Sequence, residues 1–324
     1  MSKAKPARKA WKQPVFAESV DFPEGRNPLV VFLAGFTDDS ARATRAALDS
    51  VADILTDGRI KAENLAWHRL RSNHVTALRG RMLRFYAPAT ANRYLSGLRG
   101  VLKEAWRLEL IDRETMERTM DVAPVRGRRE QRGRAVTREE LLAVFGACAK
   151  DENFAIGARD AAILALLYGS GLRRAELAAL SVGDIAWKDS SVQVLGKGDK
   201  QRTVFMPAGT VAAVRAWLEV RGSKPGPLVT QVFKAGRVRL SGITDQLVYH
   251  VVRKRHLEAG VEPFTPHDLR RSFISELLDD GVDLATVARQ VGHSNVQTTA
   301  RYDRRDQKTQ QRGVLRLDVP FGPE

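Results

Sequence analysis

Six residues in the second half of the chain have types and spacings suited to joint chemistry: Arg173, Lys197, His267, Arg270, His293 and Tyr302. Three carry positive charge, two are imidazoles able to take or give a proton, and one is a phenol. Such a set suits a phosphodiester. It can surround the phosphate with positive charge, attack it with the tyrosine oxygen and manage the protons.

Each of the six needs an element to hold it. In TPHDLRRSF (265–273), Thr265 is a candidate N-cap, Pro266 takes the first helical position and Asp268 completes a Thr-x-x-Asp box. A spacing of three puts His267 and Arg270 on one helical face, near an N-terminus whose free N–H groups favour a phosphate. A stripe of Leu269, Phe273 and Leu277 is expected to face the core. In GSGLRRAEL (169–177) two glycines break the preceding apolar helix and let the backbone turn sharply. Arg173 and Arg174 both follow that turn, and Glu176 is placed to hold an arginine by a bidentate pair. LGKGDKQR (195–202) reads as a hairpin turn between strands SVQVL (191–195) and RTVFM (202–206). It offers Lys197 and Lys200. In VGHSNVQTTARYD (291–303), His293 follows a helix-ending glycine, Ser294 can cap the next helix, and Tyr302 comes nine residues after the histidine.

The rest of the chain separates into regions. Residues 1–13 hold five Lys or Arg and no acid, the composition of a flexible basic arm. From 28 to 122 the apolar spacing is helical, as in ATRAALDSVADIL (42–55), with Thr90 and Asp112 as candidate N-caps. Four or five helices are expected there. APVRGRREQRGR (123–134) contains five arginines, one glutamate, one proline and two glycines, a composition with little reason to bury itself. It reads as a basic interdomain linker. A second helical start follows at Thr137-Arg-Glu-Glu, with helices expected over 138–149 and 157–168.

The chain has 324 residues, long enough for two domains, and a net charge of +15 with 43% hydrophobic residues. That charge points to a polyanionic partner, most simply nucleic acid. One cysteine, Cys148, sits in an apolar run and reads as a buried thiol; it permits neither an internal disulfide nor a cysteine-based zinc site. The basic start lacks the apolar region of a signal peptide, and PLVVFLAGF (28–36) is about half the length that spans a bilayer. A cytoplasmic, nucleoid-associated protein is expected.

Taken together, the four local sequences resemble the tyrosine recombinase (phage integrase) family over most of 136–305. The resemblance selects Arg173 over Arg174 and Lys197 over Lys200. It implies a mainly α fold with a small antiparallel β-sheet. The expected domains are a basic arm (1–25), a helical, SAM-like core-binding domain (26–122), a basic linker (123–135), a mixed α+β catalytic domain (136–312) and a tail (313–324). The expected activity is site-specific recombination of duplex DNA through a 3′-phosphotyrosyl intermediate, without metal, ATP or other cofactor. Tyr302 is implied as nucleophile, His267 as proton acceptor, Lys197 as proton donor, and Arg173 and Arg270 as the phosphate clamp, with His293 supporting. The expected partners are DNA with inverted-repeat sites and a homo- or hetero-tetramer, with an accessory recombinase or directionality factor. Ala175 stands where the family often has serine, and Asp303 where Xer-type members often have threonine. The tail ARYDRRDQKTQQRG and Asp303 favour a mobile-element integrase or resolvase over Xer-like chromosome dimer resolution. Type IB topoisomerase-like relaxation and a non-catalytic DNA-binding role are the remaining alternatives.

Overall fold

A computed structural model describes residues 15–127, 133–196, 201–293, 295–300 and 302. The chain splits into two compact units, Met1–Gln131 and Arg132–Glu324.

The first unit is helical: α1 (Pro28–Ala34), α2 (Asp38–Thr56), α3 (Ser72–Phe85), α4 (Pro88–Arg107) and α5 (Arg113–Met120), with two short 3₁₀ turns between α2 and α3. The apolar faces of α2 and α4 meet in a core that includes Leu48, Val51, Leu55, Leu95, Leu98 and Leu102. Trp67 is fully buried in that core, and its indole N–H donates to the Ala62 carbonyl at 2.8 Å. Asp112 caps α5 by accepting from the Thr115 N–H at 2.8 Å. Thr90 is not a cap: α4 begins two residues earlier at Pro88, whose fixed φ suits the first turn.

Two segments expected to be unburied are partly packed. Within the 1–25 arm, Phe16 is buried, and the Val15 N–H donates to the Leu55 carbonyl at 2.8 Å. Residues 1–14 lie outside the described residues. The start of the 123–135 linker is pinned to the first unit. Asn92 exchanges both of its amide bonds with Val125, at 2.8 and 3.0 Å, and Arg79 donates to the Ala123 carbonyl at 2.8 Å. Composition hid this because Val122 and Val125 supply the apolar contacts while Arg126 beside them stays exposed.

The second unit runs α6 (Arg138–Ala149), α7 (Phe154–Gly169), α8 (Arg174–Ala179), β1 (Ile185–Ala186), β2 (Ser191–Leu195), β3 (Gln201–Phe205), α9 (Ala208–Arg221), β4 (Thr230–Val232), β5 (Val238–Gly242), α10 (Asp245–Glu258), α11 (Pro266–Asp279), α12 (Leu284–Val291) and α13 (Val296–Ala300). The strands form an antiparallel β1-β2-β3 sheet and a separate β4-β5 hairpin. Between β2 and β3, Val192 pairs with Val204 and Leu195 with Gln201. The apolar helix α7 runs through the centre, with Ile163, Leu164, Leu166 and Leu167 all buried. Cys148 is buried, and that burial pushes its thiol up to about 12, which leaves it unreactive. A smaller cluster of Ile274, Leu278, Val287 and Val291 joins α11 to α12, with Tyr302 packed at its edge.

The buried face of α11 is wider than the expected stripe, whose Leu269 is fully buried and whose Phe273 and Leu277 pack against the small cluster. Leu269, Ile274 and Leu278 are buried together with Arg270 and Arg271, while Phe273 and Leu277 are half-buried and border an open groove. The arginines turn inward because backbone carbonyls are there to receive them. Among the described residues no helix is long and apolar enough to cross a membrane.

Candidate active site

The site is assembled where three turns meet. The first is the α7–α8 turn. Gly171 has φ +60°, and a Cβ there would overlap the Phe273 ring. That turn places Arg173 as the N-cap of α8, with Glu176 accepting from the Arg173 backbone N–H at 2.9 Å and from its guanidinium at 2.6 Å. The second is the start of α11, capped by Thr265 and Asp268 as the sequence predicts. It places His267 in the first turn and Arg270 one turn further on. The third is the α12–α13 turn, where Gly292 adopts the left-handed conformation at φ +67° and is followed by His293.

Carbonyls from these turns hold the two arginines. Arg270 donates to the Gly171 and Val291 carbonyls. Arg173 donates to the Gly292 carbonyl at 2.9 Å. A guanidinium has five N–H donors. Each arginine therefore keeps donors beyond these fixed contacts, and its plane is already oriented.

Arg202 was missed as a site residue. Standing in β3, it grips the Glu176 carboxylate with both terminal nitrogens at 2.9 and 2.8 Å and donates to the Gln290 carbonyl at 3.1 Å. The signal was present in the alternation: Val204 and Met206 are buried, and Arg202 shares their face of the strand. An inward arginine on a strand needs a carboxylate, and Glu176 is that partner.

The electrostatics follow from the shared burial. Burial by itself raises a carboxyl's pKa, but hydrogen bonds from Arg202 and Arg173 overcome it and hold Glu176 at about 2. Burial, reinforced by the charge of Arg173, pushes Arg270 down to about 9. Arg173, Arg202 and Arg270 face a single carboxylate, so the cluster carries excess positive charge where an anion is electrostatically favoured.

Burial, with the same positive charge behind it, disfavours the charged form of both imidazoles. Desolvation first, then Arg270 and Arg173, brings His293 to about 4. Desolvation, then Arg270 and Arg271, lowers His267. Both shifts favour the uncharged ring. The Tyr302 hydroxyl lies 3.3 Å from His267 Nε2. His293 stacks near the tyrosine ring at 6.5 Å between centroids, and its Nδ1 pairs with the buried Thr299 hydroxyl at 2.8 Å.

Arg173, His267, Arg270, His293 and Tyr302 thus converge from elements up to 129 residues apart. Lys197, like Lys200 and Ser294, lies outside the described residues. The root of its hairpin is tied to the cluster by Arg202.

Comparisons with known proteins agree with this architecture. The tyrosine recombinase XerC of Corynebacterium glutamicum is 40% identical over 146 residues, which cover 44% of this chain and 46% of that protein. XerD of Pseudomonas putida is 34% identical over 224 residues, 67% of this chain and 71% of that protein. The chain thus spans less than half the length of some of these relatives and about seven tenths of others. A lambda integrase dimer bound to a COC′ core site superposes with a TM-score of 0.63 at 14% identity, covering 86% of this chain and 92% of that one. The Tn1549 transposon integrase in complex with circular intermediate DNA gives 0.64 at 16% identity, covering 89% and 99%. At these identities the structural likeness is one of fold: mainly helical, with small antiparallel sheets. Residues 134–309 match the sequence model of the phage integrase family, and they enclose all three turns that build the site. With that match across more than half of its length, the chain belongs to the phage integrase family of tyrosine recombinases.

Proposed function

We propose that the protein is a site-specific DNA recombinase that cuts and rejoins duplex DNA through a tyrosine–DNA intermediate. The observation that carries this reading is the Tyr302 hydroxyl at 3.3 Å from His267 Nε2, beside an arginine cluster with excess positive charge.

The chemistry follows from these groups. The Tyr302 oxygen attacks phosphorus, an O–P bond forms, and the bond from phosphorus to the 5′ oxygen breaks. The phenolic proton passes to His267, whose lowered pKa leaves it free to accept. Arg173 and Arg270 hold the non-bridging oxygens, where charge builds up in the transition state. Removing one such donor costs about 10²–10³ in rate in related oxyanion sites. Lys197 gives a proton to the leaving 5′ oxygen, and His293 supports the phosphate. The phosphoester is conserved in the covalent link, so the reverse attack by a 5′-hydroxyl needs no ATP.

Duplex DNA with inverted repeats is the proposed substrate, bound by protomers assembled as a tetramer, with an accessory recombinase or directionality factor. The solved integrases named above are themselves bound to DNA, which supports the choice. Integration or resolution for a mobile element is the proposed role. Xer-like dimer resolution is the second reading, favoured by the Xer names of the curated relatives.

The test uses inverted-repeat DNA from beside the gene, nicked near each crossover position and run on a denaturing gel after incubation with protein. Wild type is expected to give a shifted covalent band, and Tyr302→Phe is expected to bind the DNA without one. A band in Tyr302→Phe would mean another nucleophile.

A further inference from the structure

Arg271 takes no part in the chemistry described above, yet it is 5% exposed and touches the nucleophile. Its guanidinium carbon lies 5.3 Å from the centroid of the Tyr302 ring. One of its terminal nitrogens donates to the Gly133 carbonyl at 3.2 Å.

Gly133 belongs to a segment stitched along the first turns of α11. The Arg134 backbone N–H donates to Asp268 at 3.2 Å, and the Val136 N–H donates to the Ser272 hydroxyl at 2.8 Å. Arg134 itself forks onto Glu140 at 2.6 and 2.7 Å. Gly133 has φ +108°, and a Cβ there would overlap the Asp268 carboxylate and lie 3.5 Å from the Arg271 guanidinium carbon. The backbone entering the second unit is therefore fixed to the helix that carries His267 and Arg270. Arg271 extends that fixation to the tyrosine.

We propose that Arg271 is a positioning residue: anchored on the Gly133 carbonyl, it holds the Tyr302 ring by a cation–π contact so that the hydroxyl stays in reach of His267 and the phosphate. The proposal rests on the reading of Tyr302 as nucleophile. The physical reason is one of restraint. Tyr302 lies at the edge of a small apolar cluster and is only half-buried, so packing alone holds it loosely. A buried cation facing the ring adds a directional contact. A displacement of about 1 Å at a reacting group can cost roughly a hundredfold in rate.

The experiment measures single-turnover adduct formation on the nicked inverted-repeat duplex with which the wild type reacts, at saturating protein. DNA affinity and melting temperature are measured alongside. Arg271→Met keeps the stem and removes the cation; Arg271→Lys keeps a cation over the ring. Arg271→Met is expected to slow adduct formation by about tenfold to a hundredfold, with affinity within about twofold of wild type. Arg271→Lys is expected to recover to within about tenfold of the wild-type rate. A rescue by lysine separates a charge-dependent hold on the ring from a merely structural role.

An unchanged rate in Arg271→Met would overturn the proposal. So would lost affinity with a normal rate at saturation, because that describes a phosphate contact. Should Arg271→Met melt at a lowered temperature, Arg271→Lys decides alone: a rate within about tenfold of wild type supports the hold, and a larger loss in a normally melting protein overturns it. Tyr302→Phe separates the two levels. An adduct in that variant would remove the nucleophile reading itself, whereas a dead Tyr302→Phe beside a normal Arg271→Met would remove only the role of Arg271.

Discussion

The second unit contains two charge clusters, each centred on a buried arginine, built on opposite principles. In the first, Arg159, Lys254 and Arg255 meet Asp151, Asp160 and Glu258, three cations against three carboxylates. Arg255 is fully buried and donates to all three carboxylates at 2.6–2.9 Å. Burial alone would lower its pKa, but the carboxylates outweigh burial and raise it. In the second cluster, Arg173, Arg202 and Arg270 share Glu176. There burial wins, with a second arginine reinforcing it, and Arg270 falls to about 9. One cluster is charge-balanced and clasps α6, α7 and α10. The other is positive and is held in place by backbone carbonyls. Charge balance serves stability; retained positive charge in a rigid frame serves an anion. The two can be told apart by what breaks when each loses an arginine.

The largest effect is expected from Arg270→Met. Adduct formation should fall by about 10²–10³ at saturating DNA, while the melting temperature drops less than in Arg255→Met. Near-normal cleavage would remove Arg270 from the phosphate clamp.

Arg255→Met should show the reverse. It takes from Asp160 and Asp151 the arginine that they share, and breaking comparable buried pairs costs about 3–5 kcal/mol of stability. Adduct formation per folded molecule should stay near wild type. Urea unfolding measures the first quantity and active-site titration the second.

Acid should next distinguish the clusters through Glu176. Its folded pKa of about 2 lies below the ordinary carboxyl value of 4.5. Its stabilising contribution is therefore present above about pH 4.5 and lost as pH falls towards 2, about 3 kcal/mol in all. Glu176→Gln should flatten that part of the stability–pH curve; an unchanged slope would mean that the carboxylate is not what the arginines hold.

The smallest effect concerns His267, whose pKa is lowered. Adduct formation should decline as pH falls, with its midpoint below the ordinary histidine value of about 6.5, as the imidazole takes up a proton and stops accepting one. A midpoint above about pH 7 would point to a different acceptor.

How much of this was legible in the sequence depends on distance along the chain. The caps at Thr137 and Thr265 were legible because each needs only four residues. His267, Arg270 and Arg173 were legible as candidates because turn and helix signals surround them. Arg202 and Arg271 were not singled out, since their roles depend on partners 26, 138 and 31 residues away: Glu176, Gly133 and Tyr302. The burial of arginines on α11 was not legible for the same reason. A helical pattern ranks arginines as surface, and only the carbonyls of Gly171, Val291 and Gly133 reverse that ranking. Thr90 lost its cap to Pro88, whose backbone constraint outweighs a side-chain preference.

The most direct test of the account is to find which atom carries the DNA. Wild-type protein trapped on nicked inverted-repeat DNA would be digested with protease and nuclease and analysed by tandem mass spectrometry. The account predicts a nucleotide joined through a 3′-phosphate to Tyr302 and to no other residue. A nucleotide on a different side chain, or no covalent product from DNA that is tightly bound, would contradict it.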